Sequence, residues 1–202
     1  MRPHFVRRSL ALLFVQACGT ELGPPEARLA FSFEQGMEGW AAAAADTGLP
    51  GGAYAPWSIQ PSTDLAYDGR YALKFSVANY TDAAKIWIVR PFRVTPGSSY
   101  AVEVSYAFGT ADFGQANLFE LLAGTFESAP VDGRSLLAGT LHEPTGNGAG
   151  GDVGYQWLRK RFRGSARGNA SGLLYVVVGV WGTWEGARTY YVDDLTVSLT
   201  PN

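Results

Sequence analysis

Apolar residues in this chain alternate with period two in segment after segment and almost nowhere recur at helical spacing. Successive side chains of a strand point to opposite faces, so the pattern commits the chain to strands with one buried face. Leu29, Phe31 and Phe33 share one face of a first strand, and Tyr71, Leu73, Phe75 and Val77 share one face of another. Tyr100, Val102, Val104 and Tyr106 alternate with Ala101, Glu103, Ser105 and Ala107, while Tyr191, Leu195, Val197 and Leu199 lie in phase near the end. Further strands are expected over 53–60, 85–94, 117–122, 134–141, 155–162 and 173–181. Turn chemistry separates them: Asp68-Gly69, Pro96-Gly97, Asp132-Gly133 and the stretch 164–168. The alanines of 41–45 have helical propensity but neighbours rich in Gly and Pro, which favour a strand or loop. About ten strands and no fixed-period repeat give an all-β chain, a two-sheet antiparallel β-sandwich of the jelly-roll kind.

The composition removes several function classes. Sixteen Lys and Arg against eighteen Asp and Glu leave a formal charge of −2, without the broad basic footprint of a nucleic-acid binder. With 47% hydrophobic and 17% charged residues in 202, the chain reads as one globular domain. No apolar run is long enough for an ordinary membrane span. The glycine-rich stretch 146–154 contains a G-x-G pattern, but a phosphate cradle needs a following helix and Tyr155-Gln156-Trp157-Leu158 reads as a strand.

Residues 1–17 read as an export signal, with Arg2, Arg7 and Arg8 before the short apolar run Leu10-Ala11-Leu12-Leu13-Phe14-Val15. Val15-Gln16-Ala17-Cys18 resembles the lipobox of bacterial lipoproteins. The resemblance implies that Cys18 becomes the first mature residue and carries lipid, that 18–26 is a tether, and that the domain spans 27–202. It also implies a bacterial cell envelope address, at the outer membrane or cell surface, with membrane contact through the anchor. The alternative is an unpaired cysteine in an ordinary signal peptide. Cys18 is the sole cysteine, so no disulfide forms within the chain. Removing 1–17 takes three arginines and no acid, leaving the mature chain at −5.

Four segments in order carry a second resemblance. Phe31-Ser32-Phe33-Glu34-Gln35-Gly36 with Gly39-Trp40, then Asp68-Gly69-Arg70-Tyr71-Ala72-Leu73-Lys74, Pro96-Gly97-Ser98-Ser99-Tyr100 and Tyr190-Tyr191-Val192-Asp193-Asp194-Leu195-Thr196-Val197 resemble galactose-binding-like jelly rolls. That family includes many carbohydrate-binding modules appended to polysaccharide-degrading enzymes. Residues 112–152 have no counterpart in it. Asp193 shares the phase of Tyr191, Leu195, Val197 and Leu199 and so points coreward, where an ionised carboxylate is costly unless paired or hydrogen-bonded. The resemblance implies a structural calcium held by Glu34 and Asp193, with Gly69 offering its carbonyl. The alternatives are that Asp193 pairs with a base or caps backbone amides, or that a bulge makes Asp194 the inward residue.

Aromatic faces stack on sugar C–H surfaces, so exposed tryptophans are the candidate ligand contacts. Trp57, Trp87, Trp181 and Trp184 are those candidates, whereas Trp40 belongs in the core. Arg159, Lys160, Arg161, Arg163 and Arg167 read either as a solvated edge strand or as a site for an anionic polymer or lipid headgroup. Catalysis finds little to work with: the histidines are His4 and His142, and no local motif pairs Glu103, Glu120 or Glu185. The expected function is a non-catalytic carbohydrate-binding module-like domain on an envelope lipoprotein. Its partner is a polysaccharide or other glycan. The rivals are an envelope lipoprotein that binds a protein or cell-wall polymer, and a small polysaccharide lyase or glycoside hydrolase.

Overall fold

The computed structural model describes residues 27–48, 52–115 and 119–202. The signal segment, Cys18 and the tether lie outside the described residues. The elements run β1 (Arg28–Phe31), β2 (Ala41–Ala45), β3 (Trp57–Ser62), β4 (Ala72–Asn79), β5 (Lys85–Arg93), β6 (Ser99–Thr110), β7 (Phe119–Phe126), α1 (Gly133–Ala138), β8 (Thr140–Pro144), β9 (Gln156–Arg167), β10 (Leu173–Gly182) and β11 (Gly186–Pro201). Among the described residues these form a six-stranded sheet ordered β3-β4-β11-β6-β9, with β1 also on β11, and a five-stranded sheet ordered β2-β5-β10-β7-β8. Every pairing is antiparallel. The chain is a two-sheet β-sandwich, as the alternation requires. No helix among the described residues is long and apolar enough to cross a membrane.

The principal core lies between the sheets. The in-phase residues Leu73, Phe75 and Val77 of β4, Val102, Val104 and Tyr106 of β6, and Leu195, Val197 and Leu199 of β11 are all within it. Trp40 is buried there, edge-on to Phe31 at 5.4 Å and to Phe92 at 6.1 Å. A second, smaller core covers the outer face of the five-stranded sheet, where Trp87, Leu122 and Val177 pack under Leu136 of α1.

That helix corrects the strand expected over 134–141. Asp132 caps it, accepting the Ser135 amide at 2.7 Å, and Gly139 closes it before β8 begins. Two adjacent leucines in a segment of six residues are too short to show a period.

A second correction concerns β11. Asp193 sits opposite Ala107 and Thr196 opposite Ser105, so Asp194 and Leu195 together face Tyr106 in a β-bulge. Asp194 takes φ 46°, the left-handed region. The extra residue reverses the phase. Tyr190 and Val192 point inward before it, and Leu195, Val197 and Leu199 point inward after it. Tyr191 and Asp193 therefore face outward, on the far side of the six-stranded sheet from the core. Asp193 is buried all the same, because the 67–71 loop lies over it.

Candidate functional site

The bulge places an aromatic cluster on the outer face of the six-stranded sheet. Along one row, Trp157 of β9 lies opposite Gly109 of β6, Gly109 opposite Tyr191 of β11, Tyr191 opposite Lys74 of β4, and Lys74 opposite Gln60 of β3. Gly109 is what lets the indole lie across the sheet: a Cβ there would stand 3.2 Å from both the Trp157 ring and the Tyr191 Cβ. Tyr67 meets Trp157 edge-on at 5.5 Å, and Tyr155 meets Tyr191 at 5.2 Å. Tyr67 is 45% exposed and Tyr155 39%, so the cluster offers ring faces to solvent.

Polar groups border these rings. Tyr155 donates its hydroxyl to the Thr189 carbonyl at 3.0 Å, and the Ser76 and Thr189 hydroxyls are 3.2 Å apart. Lys74 pairs with Asp64 at 2.5 Å, a bond that raises the ammonium's pKa. Burial raises the Tyr155 and Tyr191 phenols. Two depressions share Ala187, Arg188 and Thr189 as a common wall. One, of 290 Å³, reaches Trp57, Ser58 and Ser76; the other, of 340 Å³, reaches Asp112, Phe113 and Asp152. Asp112 is buried and braces the second from behind: it accepts the Tyr190 hydroxyl at 2.7 Å and the Thr145 hydroxyl at 2.6 Å, and lies 3.1 Å from Arg188 Nε. Burial first, and then Asp112, raise the Tyr190 phenol well above its ordinary pKa.

The four candidate tryptophans scatter. Trp57 is 38% exposed at the rim of the first depression. Trp184, 60% exposed, sits in the turn between β10 and β11, which Asn79 grips by donating to the Trp184 carbonyl at 2.7 Å. Trp181 is half-buried on the opposite sheet, beneath the Lys85 ammonium at 5.2 Å and edge-on to His142. Trp87 is a correction. At 1% exposure under α1 it presents no face to any ligand, because the partly polar strand face expected at Lys85, Trp87 and Val89 is roofed by the helix. The cluster at Tyr67, Tyr155, Trp157 and Tyr191 was not singled out from sequence. The signal that could have found it is Tyr155 and Trp157 falling in one phase of a single strand.

Glu34, Gly69 and Asp193 do converge on one loop. Glu34 Oε1 accepts the Arg70 amide at 2.7 Å and the Tyr71 amide at 2.8 Å. The Tyr71 and Arg70 amides, in that order, hold its carboxyl below the usual pKa. Gly69, at φ 68°, is where that carboxylate passes: a Cβ there would lie 2.5 Å from Oε1. Asp193 Oδ2 accepts the Tyr67 and Asp68 amides at 2.9 and 3.1 Å, and Oδ1 accepts the Asp194 amide at 2.7 Å. Asp193 thus caps backbone amides. Among the described residues it has no cationic partner, and burial raises its pKa. No group of three or more His, Cys, Asp or Glu placed to hold a metal occurs among the described residues. On β7 and β8, His142 stands between Glu120 at 3.2 Å and Thr140 at 3.0 Å, and Thr140 donates its hydroxyl to the Leu136 carbonyl.

No protein-family profile and no curated protein matches the chain. Solved structures do. The K3 cleaved adhesin domain of Lys-gingipain from Porphyromonas gingivalis is 17% identical, with a TM-score of 0.51 over 86% of this chain and 98% of that one. An arabinose-bound α-L-arabinofuranosidase is 12% identical, with a TM-score of 0.53 over 88% of this chain but 27% of the enzyme. The xylan-binding domain CBM22-1 of Paenibacillus barcinonensis Xyn10C is 16% identical, with a TM-score of 0.44 over 86% and 94%. At these identities, what the first two share with this chain is the β-sandwich architecture.

Proposed function

We propose that this chain is a non-catalytic glycan-binding module, and that its binding surface is the outer face of the six-stranded sheet. The observation that carries this is the row from Trp157 across Gly109 and Tyr191 to Lys74 and Gln60, with Tyr67 and Tyr155 exposed beside it. Aromatic rings edged by hydroxyl, amide and ammonium groups match a pyranose with an apolar face and a polar rim. The sandwich likeness to an adhesin domain and to part of an arabinose-bound enzyme is compatible with such a role and does not identify a ligand. The test is a glycan array on the purified protein, in calcium and again in EDTA. Specific hits lost on changing Trp157 support the reading. A blank array from folded protein overturns it and moves attention to an envelope protein partner, to be sought by pull-down. The enzymatic rival would draw on Glu120, His142 and Thr140, but there the hydroxyl proton of Thr140 is engaged by backbone.

The export reading places the module on the bacterial cell envelope, anchored by lipid at Cys18. Cys18→Ser is then expected to release the protein from the membrane fraction and to abolish incorporation of labelled palmitate. Unchanged fractionation of that variant argues for an ordinary signal peptide.

Calcium is proposed at the 67–71 loop, with Glu34, Asp193 and the Gly69 carbonyl as the protein ligands. What supports it is the buried charge of Asp193, for which three amides supply hydrogen bonds and no side chain among the described residues supplies a counter-charge. The ion would supply that charge and fasten the loop to β11. Saturating calcium is expected to raise the melting temperature by several degrees, by linkage, and EDTA to reverse it. Equal melting temperatures in both, with no calcium found by elemental analysis, would mean that the amides alone suffice.

A further inference from the structure

Alternation along β9 sorts its basic cluster by face. Arg159, Arg161 and Arg163 share the phase of Trp157, so all three stand on the outer face of the six-stranded sheet, in line with the aromatic cluster. Lys160 takes the opposite phase and pairs with Glu143 across to β8. The three guanidiniums are open to solvent, their side chains 55%, 59% and 68% exposed. Their Cα atoms repeat about every 7 Å along the strand, while the heads of Arg161 and Arg163 converge on the Glu103 carboxylate. Arg28 on β1 extends the same face, in a row through Ser198 and Glu103 to Arg163.

Two carboxylates brace this ladder without filling it. Glu103 holds Arg161 at 3.3 Å and Arg163 at 2.7 Å, and Asp194, the bulge residue, holds Arg159 at 2.5 Å. Each guanidinium carries five N–H donors, so one carboxylate contact orients it and leaves donors free for a ligand. Arg159 also lies over the Tyr67 ring at 4.9 Å, which joins the ladder to the aromatic cluster. Below it, a depression of 380 Å³ is lined by Glu103, Arg163, Gly164, Ser198 and Thr200. All this belongs to a chain whose formal charge is negative.

We infer that the glycan this face takes is acidic, a carboxylate-bearing polysaccharide that stacks a sugar on Trp157 and runs along β9, with its carboxylates on Arg159, Arg161 and Arg163. The inference rests on the glycan-binding reading and supplies its ligand class. Guanidinium and carboxylate match in planar, charge-assisted pairs. A row of cations along one strand suits a polymer that carries charge along its length. An anionic membrane is the rival occupant, but the exposed Tyr67 and Tyr155 rings beside the ladder suit sugar stacking, which a lipid headgroup does not need.

The test compares polygalacturonate with its fully methyl-esterified form, the same sugar chain without the charge, by calorimetry on the whole protein. Wild type is expected to bind the acid form roughly 10-fold or more tightly than the ester, with the preference shrinking as salt is raised. Arg159→Gln/Arg161→Gln/Arg163→Gln is expected to remove the preference for the acid form, and its salt dependence, in protein that still melts cooperatively. Equal binding of the two forms by wild type overturns the acidic assignment while the glycan reading stands. So does binding of neutral glycans on the array with no response to either galacturonan. A blank for every glycan sinks both. Binding to phosphatidylglycerol vesicles, with none to polygalacturonate, replaces the polysaccharide with a lipid surface.

Discussion

Trp157→Ala is expected to weaken glycan binding by about 30- to 100-fold while the protein stays folded. A central aromatic anchor commonly contributes 2 kcal/mol or more to an interface, and about 1.4 kcal/mol is a factor of ten. Trp157 has the attributes of such an anchor. It is held from below by Gly109 and Tyr191 and from the side by Tyr67, so little freedom is lost when a sugar settles on it. The loss of its packing lowers the melting temperature only modestly, because Trp157 stands outside both buried cores. Titration calorimetry against the best array ligand, with a thermal melt alongside, reads both quantities. Trp181→Ala is the control: Trp181 lies on the other sheet, and its loss leaves affinity unchanged. Full binding by the Trp157 variant would remove the outer face of the six-stranded sheet as the site.

Trp87→Ala is expected to show the reverse, a loss of stability with no specific loss of binding. Trp87 is 1% exposed and packs with Leu122, Leu136 and Val177. Truncating a buried aromatic to alanine costs roughly 3–5 kcal/mol. For a domain of this size that lowers the melting temperature by roughly 6–20 °C. The indole N–H of Trp87 has no acceptor in the structure, so the cost is one of packing rather than of a lost hydrogen bond. Trp87→Phe then recovers most of the stability, which a hydrogen-bonding role would not allow. Chemical denaturation of the three proteins settles the point. A melt unchanged in Trp87→Ala would mean that α1 does not seal this face.

These two tryptophans show what the sequence discloses and what it withholds. Both sit in alternating segments, and alternation correctly made both segments strands. It cannot say which face of a strand is roofed. Trp87 is buried because α1, formed by residues far along the chain, lies over it, and Trp157 is accessible because no helix covers its sheet. The bulge at Asp194 is withheld for a similar reason. Before it, Tyr191 and Asp193 look continuous with Leu195 and Val197, and a single extra residue in β11 reverses which side they face. Convergence of Glu34, Gly69 and Asp193 on one loop was legible through the resemblance of their segments. That the loop turns amides toward both carboxylates is a matter of backbone orientation, which no residue pattern encodes. The arginines were visible as a cluster, and carrying the phase of Trp157 onward would have aligned three of them.

The pairing of β1 with β11 has a mechanical consequence. Arg28 lies opposite Ser198, so the chain enters the sandwich at the pole where β11 ends, whereas Thr189 and Trp57 border the depression at the other pole. About 30 Å of extended strand separates the two. If the domain is tethered through the segment before Ala27 and a ligand pulls on the Trp157 end of the binding face, tension draws β1 lengthwise along β11. The four residue pairs between them are then loaded together in shear, and no single pair can be peeled open first. A flow that drags on the ligand therefore meets the sandwich along its stiff axis.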